Sequence, residues 1–276
     1  MTARLDAADL DATTPADCIG VFDSGVGGLS VLRALHQRLP DAAMIYVGDV
    51  AHAPYGERAA SEVVARCALL VAHLAAAGAR VIVIACNTAT VLAIEALRAR
   101  WPMLVFVGVE PGVKPAAARS RTRRIAVMTT AATATSDRLR HLIARYAEDV
   151  HVHVQPCPAL AGAIEGGVLD GPALRKVLKP YCDEILAADV DTVVLGCTHY
   201  PLVEETIRAL LGPKLGLIDT ATAVAERTAS LWERTPPRFD PAPSIRVLST
   251  GALDTMQSLL ARCAGLQKLR VESLAL

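Results

Sequence analysis

The chain has 276 residues, and its 28 Lys and Arg residues balance 28 Asp and Glu residues, so the formal net charge is zero. This balance gives no electrostatic footprint for nucleic acid or an anionic membrane, and we expect neither as a partner. No apolar run approaches the ~18 residues of a membrane span. The first 17 residues lack an apolar signal core, which predicts a cytoplasmic protein with a flexible extension at residues 1–17.

Apolar runs typical of strands alternate with amphipathic helical segments along the chain. Strands are predicted at 18–22, 43–48, 80–85, 103–108, 124–128, 150–156, 192–196, 216–219 and 245–249. Helices are predicted at 28–38, 60–77, 90–100, 136–146, 172–188, 202–211 and 254–263, among others. The alternation indicates a doubly wound parallel α/β sheet, and the Pro-rich stretch 235–243 is predicted to be a surface linker.

A glycine-rich turn, DSGVGG, follows the first predicted strand and opens a helix whose free amides favour an anion. One interpretation is a dinucleotide fingerprint, with Asp49 as the ribose acid. Ser30 at the last glycine position, and Asp23 facing the incoming pyrophosphate, both disfavour that interpretation. A second interpretation fits the sequence better than the dinucleotide fingerprint: Asp23 acts as a single carboxylate ligand, or it supports a neighbouring base. A plain tight connection is the third interpretation.

The second predicted strand leads into the loop GDVAHAPYG, residues 48–56. Pro54 fixes a turn, Gly56 permits close backbone approach, and Tyr55 can offer a hydroxyl to a carboxylate. Taken alone, this segment is an ordinary loop. We interpret His52 as a surface or supporting residue rather than a catalyst.

Two cysteines follow β-branched runs at 81–84 and 192–195, at the carboxyl edge where open α/β sheets bind ligands. Small polar residues come next: Asn87 and Thr88 after Cys86, and Thr198 and His199 after Cys197. Thiolates are strong bases for carbon acids, and a helix N-terminus lowers the pKa of a thiol. The pair is therefore predicted to move protons at one carbon of a small zwitterion, which the polar residues would hold.

Other interpretations of these cysteines stay open. All seven cysteines lack a CxxC pair, which indicates reduced thiols, and either cysteine alone could be structural. A zinc site of Cys86, Cys197 and His199 has suitable ligand types without the usual close spacing, and a catalytic disulfide lacks the CxxC motif. Glu165 lies where an apolar helix breaks into glycines, and it is of interest only if the fold brings it beside Cys197.

From residue 19 to the end, the order of motifs resembles the aspartate/glutamate racemase superfamily, and within it the bacterial glutamate racemases. The motifs are DSGVGGL, GDVAHAPYG, ACNTA, GVEPGVKPA, GCTHYP, IDTA and LSTG. The resemblance implies two flavodoxin-like, doubly wound parallel-sheet α/β domains related by a pseudo-twofold axis, with the active site in the cleft between them. The implied domains are 18–108 plus 219–276, and 109–218.

The resemblance also implies an activity. We expect a cofactor-independent, metal-free racemase that interconverts L- and D-glutamate by a two-cysteine 1,1-proton transfer and supplies D-glutamate for peptidoglycan. Its partner would be the small-molecule substrate, and a homodimer is one option for its assembly. The alternatives are a racemase for aspartate or another small amino acid, a non-catalytic small-ligand or nucleotide-binding module, and a zinc hydrolase.

Site roles follow from the same resemblance. Cys86 and Cys197 would be the acid/base pair, supported by Asp23, Glu165 and His199. The implied substrate-binding residues are Asp23, Ser24, Pro54, Tyr55, Gly56, Asn87, Thr88, Thr130, Thr133, Thr198 and His199. Among these, the backbone amides of Ser24, Asn87 and Thr198 are candidates for neutralising the α-carboxylate. The superfamily run GTxxTxxSxxY reads TTAATATSDRL at 129–139, without its glycine and tyrosine, so we expect altered loop geometry with catalysis intact.

Overall fold

A computed structural model describes residues 17–235 and 243–276, and the strands in these ranges form two parallel sheets. The strands are β1 (Cys18–Asp23), β2 (Met44–Gly48), β3 (Ala79–Ile84), β4 (Val105–Gly108), β5 (Arg124–Thr129), β6 (His151–Pro156), β7 (Thr192–Leu195), β8 (Gly216–Ile218), β9 (Ile245–Ser249) and β10 (Val271–Ser273).

Helices connect the strands. They are α1 (Leu29–Arg38), α2 (Ala60–Ala76), α3 (Asn87–Arg100), α4 (Val113–Arg119), α5 (Ala131–Ala134), α6 (Asp137–Tyr146), α7 (Leu160–Glu165), α8 (Gly171–Ala187), α9 (Glu204–Leu211), α10 (Ala221–Trp232) and α11 (Asp254–Arg262). Short 3₁₀ turns occur at Val50–His52, Tyr55–Glu57 and Tyr200–Val203.

The strand order locates the ligand-binding edge of each sheet. The first sheet runs β10-β9-β2-β1-β3-β4 and the second β6-β5-β7-β8, so the second repeats β2-β1-β3-β4 with every strand four later in the chain. The order reverses between β1 and β3, and again between β5 and β7. Ligands bind at the carboxyl ends of such strand pairs. The predicted doubly wound parallel architecture is confirmed, while the pseudo-twofold axis stays a prediction.

The two faces of β3 show why its sequence is apolar from Val81 to Ile84. Val81 and Val83 pack with Leu32 of α1, whereas Ile82 and Ile84 pack with Leu70 of α2. A parallel sheet covered by helices on both faces buries successive side chains in opposite directions, so no polar alternation remains. The β-branched runs that mark the two cysteines are this kind of strand.

Each predicted strand is present, with ends shifted by a few residues at most. The predicted elements did not include β10, α4 or α10. β10 has 3 residues and is largely exposed at the sheet edge, so it carries little apolar signal. The chain crosses between the sheets after β4 and again after β8. The division at 18–108 plus 219–276 and 109–218 stays a prediction.

The predicted N-terminal extension and Pro-rich linker lie mostly outside the described residues, which exclude 1–16 and 236–242. Asp17 is described, and it is buried with its Oδ2 atom 2.9 Å from Arg80 Nη1. The prediction of a flexible segment is therefore wrong for Asp17, because an ion pair holds it against the start of β3. No helix within 17–235 or 243–276 is long and apolar enough to cross a membrane.

Adjacent leucines on α2 test the assignment of the core. Leu70 is 0% exposed and Leu69 is 49% exposed. Truncating a buried leucine leaves a cavity, so we expect Leu70→Ala to lower the free energy of unfolding by about 2–5 kcal/mol in urea denaturation. Leu69→Ala is the matched control, with an expected change within about 0.5 kcal/mol. Equal losses in the two variants would contradict this packing of α2.

Candidate functional site

The glycine-rich turn after β1 wraps around the carboxylate of Asp23, which is fully buried. Asp23 Oδ1 accepts from the backbone amide of Ser24 at 2.7 Å, and Oδ2 accepts from the amide of Gly28 and from Thr198 Oγ1 at 3.3 Å. The turn thus holds the chain's own carboxylate, not an external anion. The amide of Ser24 likewise donates to Asp23, and its predicted contact with a bound carboxylate stays a prediction.

Cys86 lies directly after β3 and caps the N-terminus of α3. Its sulfur accepts from the amide of Ala89 at 3.4 Å and lies 3.7 Å from Ser24 Oγ. The Ser24 hydroxyl in turn donates to Asp23 Oδ1 at 3.3 Å. Asp23 therefore reaches the thiol through Ser24, which is a more specific arrangement than the supporting role predicted for it.

The pKa of Cys86 is raised well above its ordinary value. Burial is the largest cause and the negative charge of Asp23 the next, while the amide of Ala89 and the hydroxyl of Ser24 act in the opposite direction. The predicted lowering of this pKa by the helix N-terminus is wrong for Cys86, since desolvation disfavours a thiolate more than one capping amide stabilises it.

Cys197 belongs to a second relay. Its sulfur lies 3.6 Å from His199 Nδ1, and His199 Nε2 lies 2.5 Å from Glu165 Oε1. Glu165 ends α7, and its Oε1 atom also accepts from the amide of Val26, in the turn after β1, at 2.8 Å. The condition set for Glu165 is thus met through His199, because the fold connects it to Cys197 by one imidazole.

Two glycines of the turn allow this close approach between the sheets. A Cβ atom at Gly25 would lie 1.8 Å from Glu165 Oε1, and one at Gly27 would lie 2.5 Å from His199 Nδ1. Any side chain at either position would push the carboxylate or the imidazole away. Glycine at these two positions of DSGVGG is therefore explained by the close approach of Glu165 and His199 from the second half of the chain.

His199 is buried, yet its pKa is raised well above 6.5. Burial is the largest single influence and opposes the charge, but the hydrogen bond and charge of Cys197, followed by those of Glu165, outweigh it. The pKa of Asp23 is also raised, by burial first and by the charge of Glu165, with His199 acting against both. His199 therefore stands between the second thiol and a carboxylate, and both partners raise its pKa.

The two thiols interact electrostatically, although their surroundings differ. The negative charge of Cys197 contributes to the raised pKa of Cys86, so the two sulfurs are electrostatically coupled. Cys86 caps a helix of 14 residues, whereas Cys197 is followed by a 3₁₀ turn and α9 begins only at Glu204. A helix N-terminus therefore adjoins Cys86 but not Cys197.

Polar side chains from the two halves of the chain meet close to Cys86. Thr88 Oγ1 lies 3.0 Å from Thr130 Oγ1, which lies 3.2 Å from Thr133 Oγ1. Asn87 is buried, and neither Oδ1 nor Nδ2 of its amide has a partner among the described residues. Unpaired buried polar atoms are costly, so an amide with both atoms free is a candidate ligand contact.

The loop after β2 uses its tyrosine internally. The hydroxyl of Tyr55 donates to Asp49 Oδ2 at 2.6 Å, so the carboxylate that receives it belongs to the chain. Pro54 and Gly56 line a small cavity together with Thr130. The predicted substrate contacts of Pro54, Tyr55 and Gly56 stay predictions, and the hydroxyl proton of Tyr55 is not available for one.

Four residues near the site were not predicted to contribute. Ser30 Oγ lies 3.4 Å from the carbonyl oxygen of Thr198, and the hydroxyl of Tyr46 donates to the carbonyl of Gly25 at 2.6 Å. Arg66 and Thr250 both donate to Asp49. Arg66 had a sequence signal, since it falls on the apolar stripe of α2. Within 17–235 and 243–276, no three His, Cys, Asp or Glu side chains group so as to hold a metal ion.

Similarity to known proteins shows the family of this chain. The sequence profile described as Asp/Glu/Hydantoin racemase matches residues 19–228, which is most of the chain. The chain belongs to this family. Among its curated members, the glutamate racemase of Ectopseudomonas mendocina is 45% identical over 250 residues, covering 90% of this chain and 95% of that protein.

Solved structures of the family have the same fold. The structure of Escherichia coli glutamate racemase in complex with L-glutamate and the activator UDP-MurNAc-Ala superposes with a TM-score of 0.84 at 31% identity, covering 95% of this chain and 99% of that one. Glutamate racemase from Francisella tularensis, in complex with D-glutamate, has a TM-score of 0.80 at 25% identity, covering 94% and 97%. The predicted membership of the racemase superfamily is confirmed.

The charge state of His199 is open to direct measurement. We expect NMR titration of its ring to show a pKa above 6.5. Glu165→Gln should lower that pKa, because the substitution removes a negative charge while keeping a side chain of similar size. Glu226→Gln, which removes an exposed carboxylate on α10, is the control and should leave it unchanged. A pKa for His199 that is insensitive to Glu165 would contradict the relay.

Proposed function

We propose that this protein interconverts L- and D-glutamate, with Cys86 and Cys197 as the two bases of a 1,1-proton transfer. The observation that carries the proposal is the pair of relays, in which Cys86 is connected to Asp23 through Ser24 and Cys197 is connected to Glu165 through His199. The hydrogen bond from Thr198 to Asp23 brings the two relays together. Curated relatives named glutamate racemase, and family structures containing L- or D-glutamate, support the choice of substrate.

The two relays suit opposite halves of a proton transfer. The raised pKa of Cys86 keeps it a thiol, and thus a proton donor. Cys197 lies beside His199 Nδ1, and an imidazole within hydrogen-bond reach of a thiol can take up and return its proton, so Cys197 is the group placed to act as the base. For one enantiomer, Cys197 removes the α-proton while Cys86 protonates the opposite face of the same carbon. Turnover leaves the protons exchanged between the thiols, and the other enantiomer reacts in reverse.

The α-proton of an amino acid is very weakly acidic, so the site must stabilise negative charge that develops at the α-carboxylate. Neutral donors are the candidates: the side-chain amide of Asn87, the hydroxyls of Thr88 and Thr130, and the backbone amides of Asn87 and Thr198. Donors fixed in advance in a dry cleft act more strongly than water, because they need no reorganisation as the charge forms. No cofactor or metal enters this mechanism.

The free amide of Asn87 is suited to a zwitterion. Its Nδ2 atom can donate to a carboxylate and its Oδ1 atom can accept from an ammonium group, so one bound amino acid would satisfy both unpaired atoms. We further propose that the D-glutamate formed supplies peptidoglycan synthesis in the cytoplasm. That role follows from the family and not from any contact in this cleft.

Aspartate, or another small amino acid, is the principal alternative substrate, since the thiol pair would serve it equally well. A chiral assay of both enantiomers of glutamate, aspartate, alanine and serine, without added cofactor, separates these possibilities. Glutamate should be turned over with the highest kcat/KM. Turnover of aspartate alone would contradict the proposed substrate, and turnover of none would favour a non-catalytic ligand-binding module.

The two-base mechanism makes a prediction about single cysteines. Cys86→Ala and Cys197→Ala should each reduce racemisation by about 10²–10⁴-fold or more, because either change removes one of the two proton-transfer groups. Cys182→Ala is a matched control, since this thiol is also buried but lies on α8, away from the cleft. Circular dichroism confirms the fold of each variant. Full activity in either active-site variant would overturn the mechanism.

A further inference from the structure

The carboxylate of Asp49 connects separate segments of the first sheet beneath the substrate loop, which we define as residues 50–58. Asp49 is fully buried at the end of β2. Its Oδ2 atom accepts from Tyr55 in the loop at 2.6 Å, and its Oδ1 atom accepts from Thr250, after β9, at 2.8 Å and lies 3.2 Å from His52 Nδ1. The loop is therefore fastened at two of its residues to one charged group.

Arg66 compensates that charge from α2. Its Nε atom donates to Asp49 Oδ2 at 3.0 Å and its Nη2 atom donates to Oδ1 at 2.7 Å, a bidentate pair. The side chain of Arg66 is only 10% exposed and lies among the apolar residues that α2 turns to the sheet. A charged residue on such a stripe needs a buried partner, and this pairing gives it one.

Burial would raise the pKa of Asp49, but the hydrogen bonds from Arg66, Tyr55 and Thr250 outweigh burial, and the pKa is lowered. Asp49 is thus a carboxylate with both oxygens occupied. Removal of Arg66 would leave the buried carboxylate of Asp49 without its cationic partner and two of its hydrogen bonds. The remaining donors, which hold the loop, would then rearrange around it.

The loop transmits this arrangement to the cleft. Gly56, next to Tyr55, approaches the second sheet so closely that a Cβ atom built on it would lie 3.1 Å from the Cβ atom of Thr130. Thr130 Oγ1 is 3.0 Å from Thr88 Oγ1, in the wall of the cleft. A displacement of the loop by a fraction of an ångström would therefore disturb groups from both sheets that are candidates for binding substrate.

We propose that Arg66 is a positioning residue that sets substrate affinity, by holding Asp49 and through it the substrate loop against Thr130. The inference rests on the proposed glutamate racemisation, and it assigns Arg66 no contact with the substrate. Because the thiol relays lie on other segments, the predicted defect is in KM more than in kcat.

The test is Arg66→Ala, assayed for both enantiomers of glutamate. Losing hydrogen bonds to a buried charge should raise KM roughly 10- to 100-fold, with a much smaller change in kcat. Guanidinium ion at millimolar concentration, far below denaturing levels, should fill the space left and lower KM again. A purely structural role would lower the thermal midpoint without this KM change or its reversal, and an unchanged KM would overturn the inference.

Two further variants complete the test. Arg246→Ala is the matched control, because Arg246 also forms a bidentate pair, with Glu272, but on the exposed surface of the same sheet. It should change neither KM nor the response to guanidinium. Thr250→Val removes one hydrogen bond to Asp49 but leaves its charge compensated by Arg66. This variant therefore tests the inference even if Arg66→Ala does not fold.

Thr250→Val should raise KM roughly 2- to 10-fold, less than Arg66→Ala, because it removes one hydrogen bond to Asp49 and keeps the ion pair with Arg66. A normal KM in Thr250→Val, when Arg66→Ala cannot be measured, would overturn the inference. Failure of the inference is distinguishable from failure of the proposed function, because the latter would appear as absent racemisation in the unaltered protein.

Discussion

Two buried carboxylates, each held partly by the opposite sheet, determine the geometry of the cleft. Asp23, at the end of the first sheet's central strand, accepts from Thr198 of the second half. Glu165 of the second half accepts from the amide of Val26 in the first. Breaking a buried charge away from its partners is strongly destabilising, so these crossed contacts keep the two sheet edges together. These contacts also position the thiols, because a single residue connects each thiol to one of the carboxylates. Ser24 connects Cys86 to Asp23, and His199 connects Cys197 to Glu165.

The same contacts explain an asymmetry that matters for proton transfer. A thiol linked to a carboxylate through a neutral hydroxyl, as Cys86 is through Ser24, experiences negative charge and burial together. Cys197 instead lies beside His199, whose imidazole is itself paired with the carboxylate of Glu165. In the proposed mechanism, this difference makes Cys86 the proton donor and Cys197 the acceptor. Their similar positions at the ends of β3 and β7 do not require similar chemistry.

The sequence predicts the sheet edge well because the physics there is local. Long β-branched runs ending in Cys86 and Cys197 indicate buried parallel strands, and their carboxyl ends are where ligands bind. The pKa of Cys86 could not be predicted in the same way, because it depends on Asp23, which lies far away in the chain. Glu165 and Arg66 show the same limit. Each forms its decisive contact with a residue on another element. The sequence indicates them only indirectly, Glu165 through the family resemblance and Arg66 as an arginine among apolar neighbours on α2.

For the DSGVGG turn and for Tyr55, the sequence predicts the type of interaction correctly but not the group that receives it. The turn DSGVGG predicts free amides for a ligand, but the amides of Ser24, Val26 and Gly28 hold the protein's own carboxylates. The sequence predicts that the Tyr55 hydroxyl donates to a carboxylate, and in the structure it donates to that of Asp49. In both cases the residue type fits the predicted interaction, whereas the partner is set by the tertiary structure.

The central claim is that two bases act on opposite faces of one carbon, and hydrogen isotope exchange tests it most directly. L-glutamate is incubated with the protein in deuterated water, and both enantiomers are analysed by mass spectrometry at low conversion. Two bases predict that D-glutamate carries one deuterium at the α-carbon while the remaining L-glutamate carries almost none. Equal labelling of both enantiomers from the start would indicate a single base, and it would contradict the roles assigned here to Cys86 and Cys197.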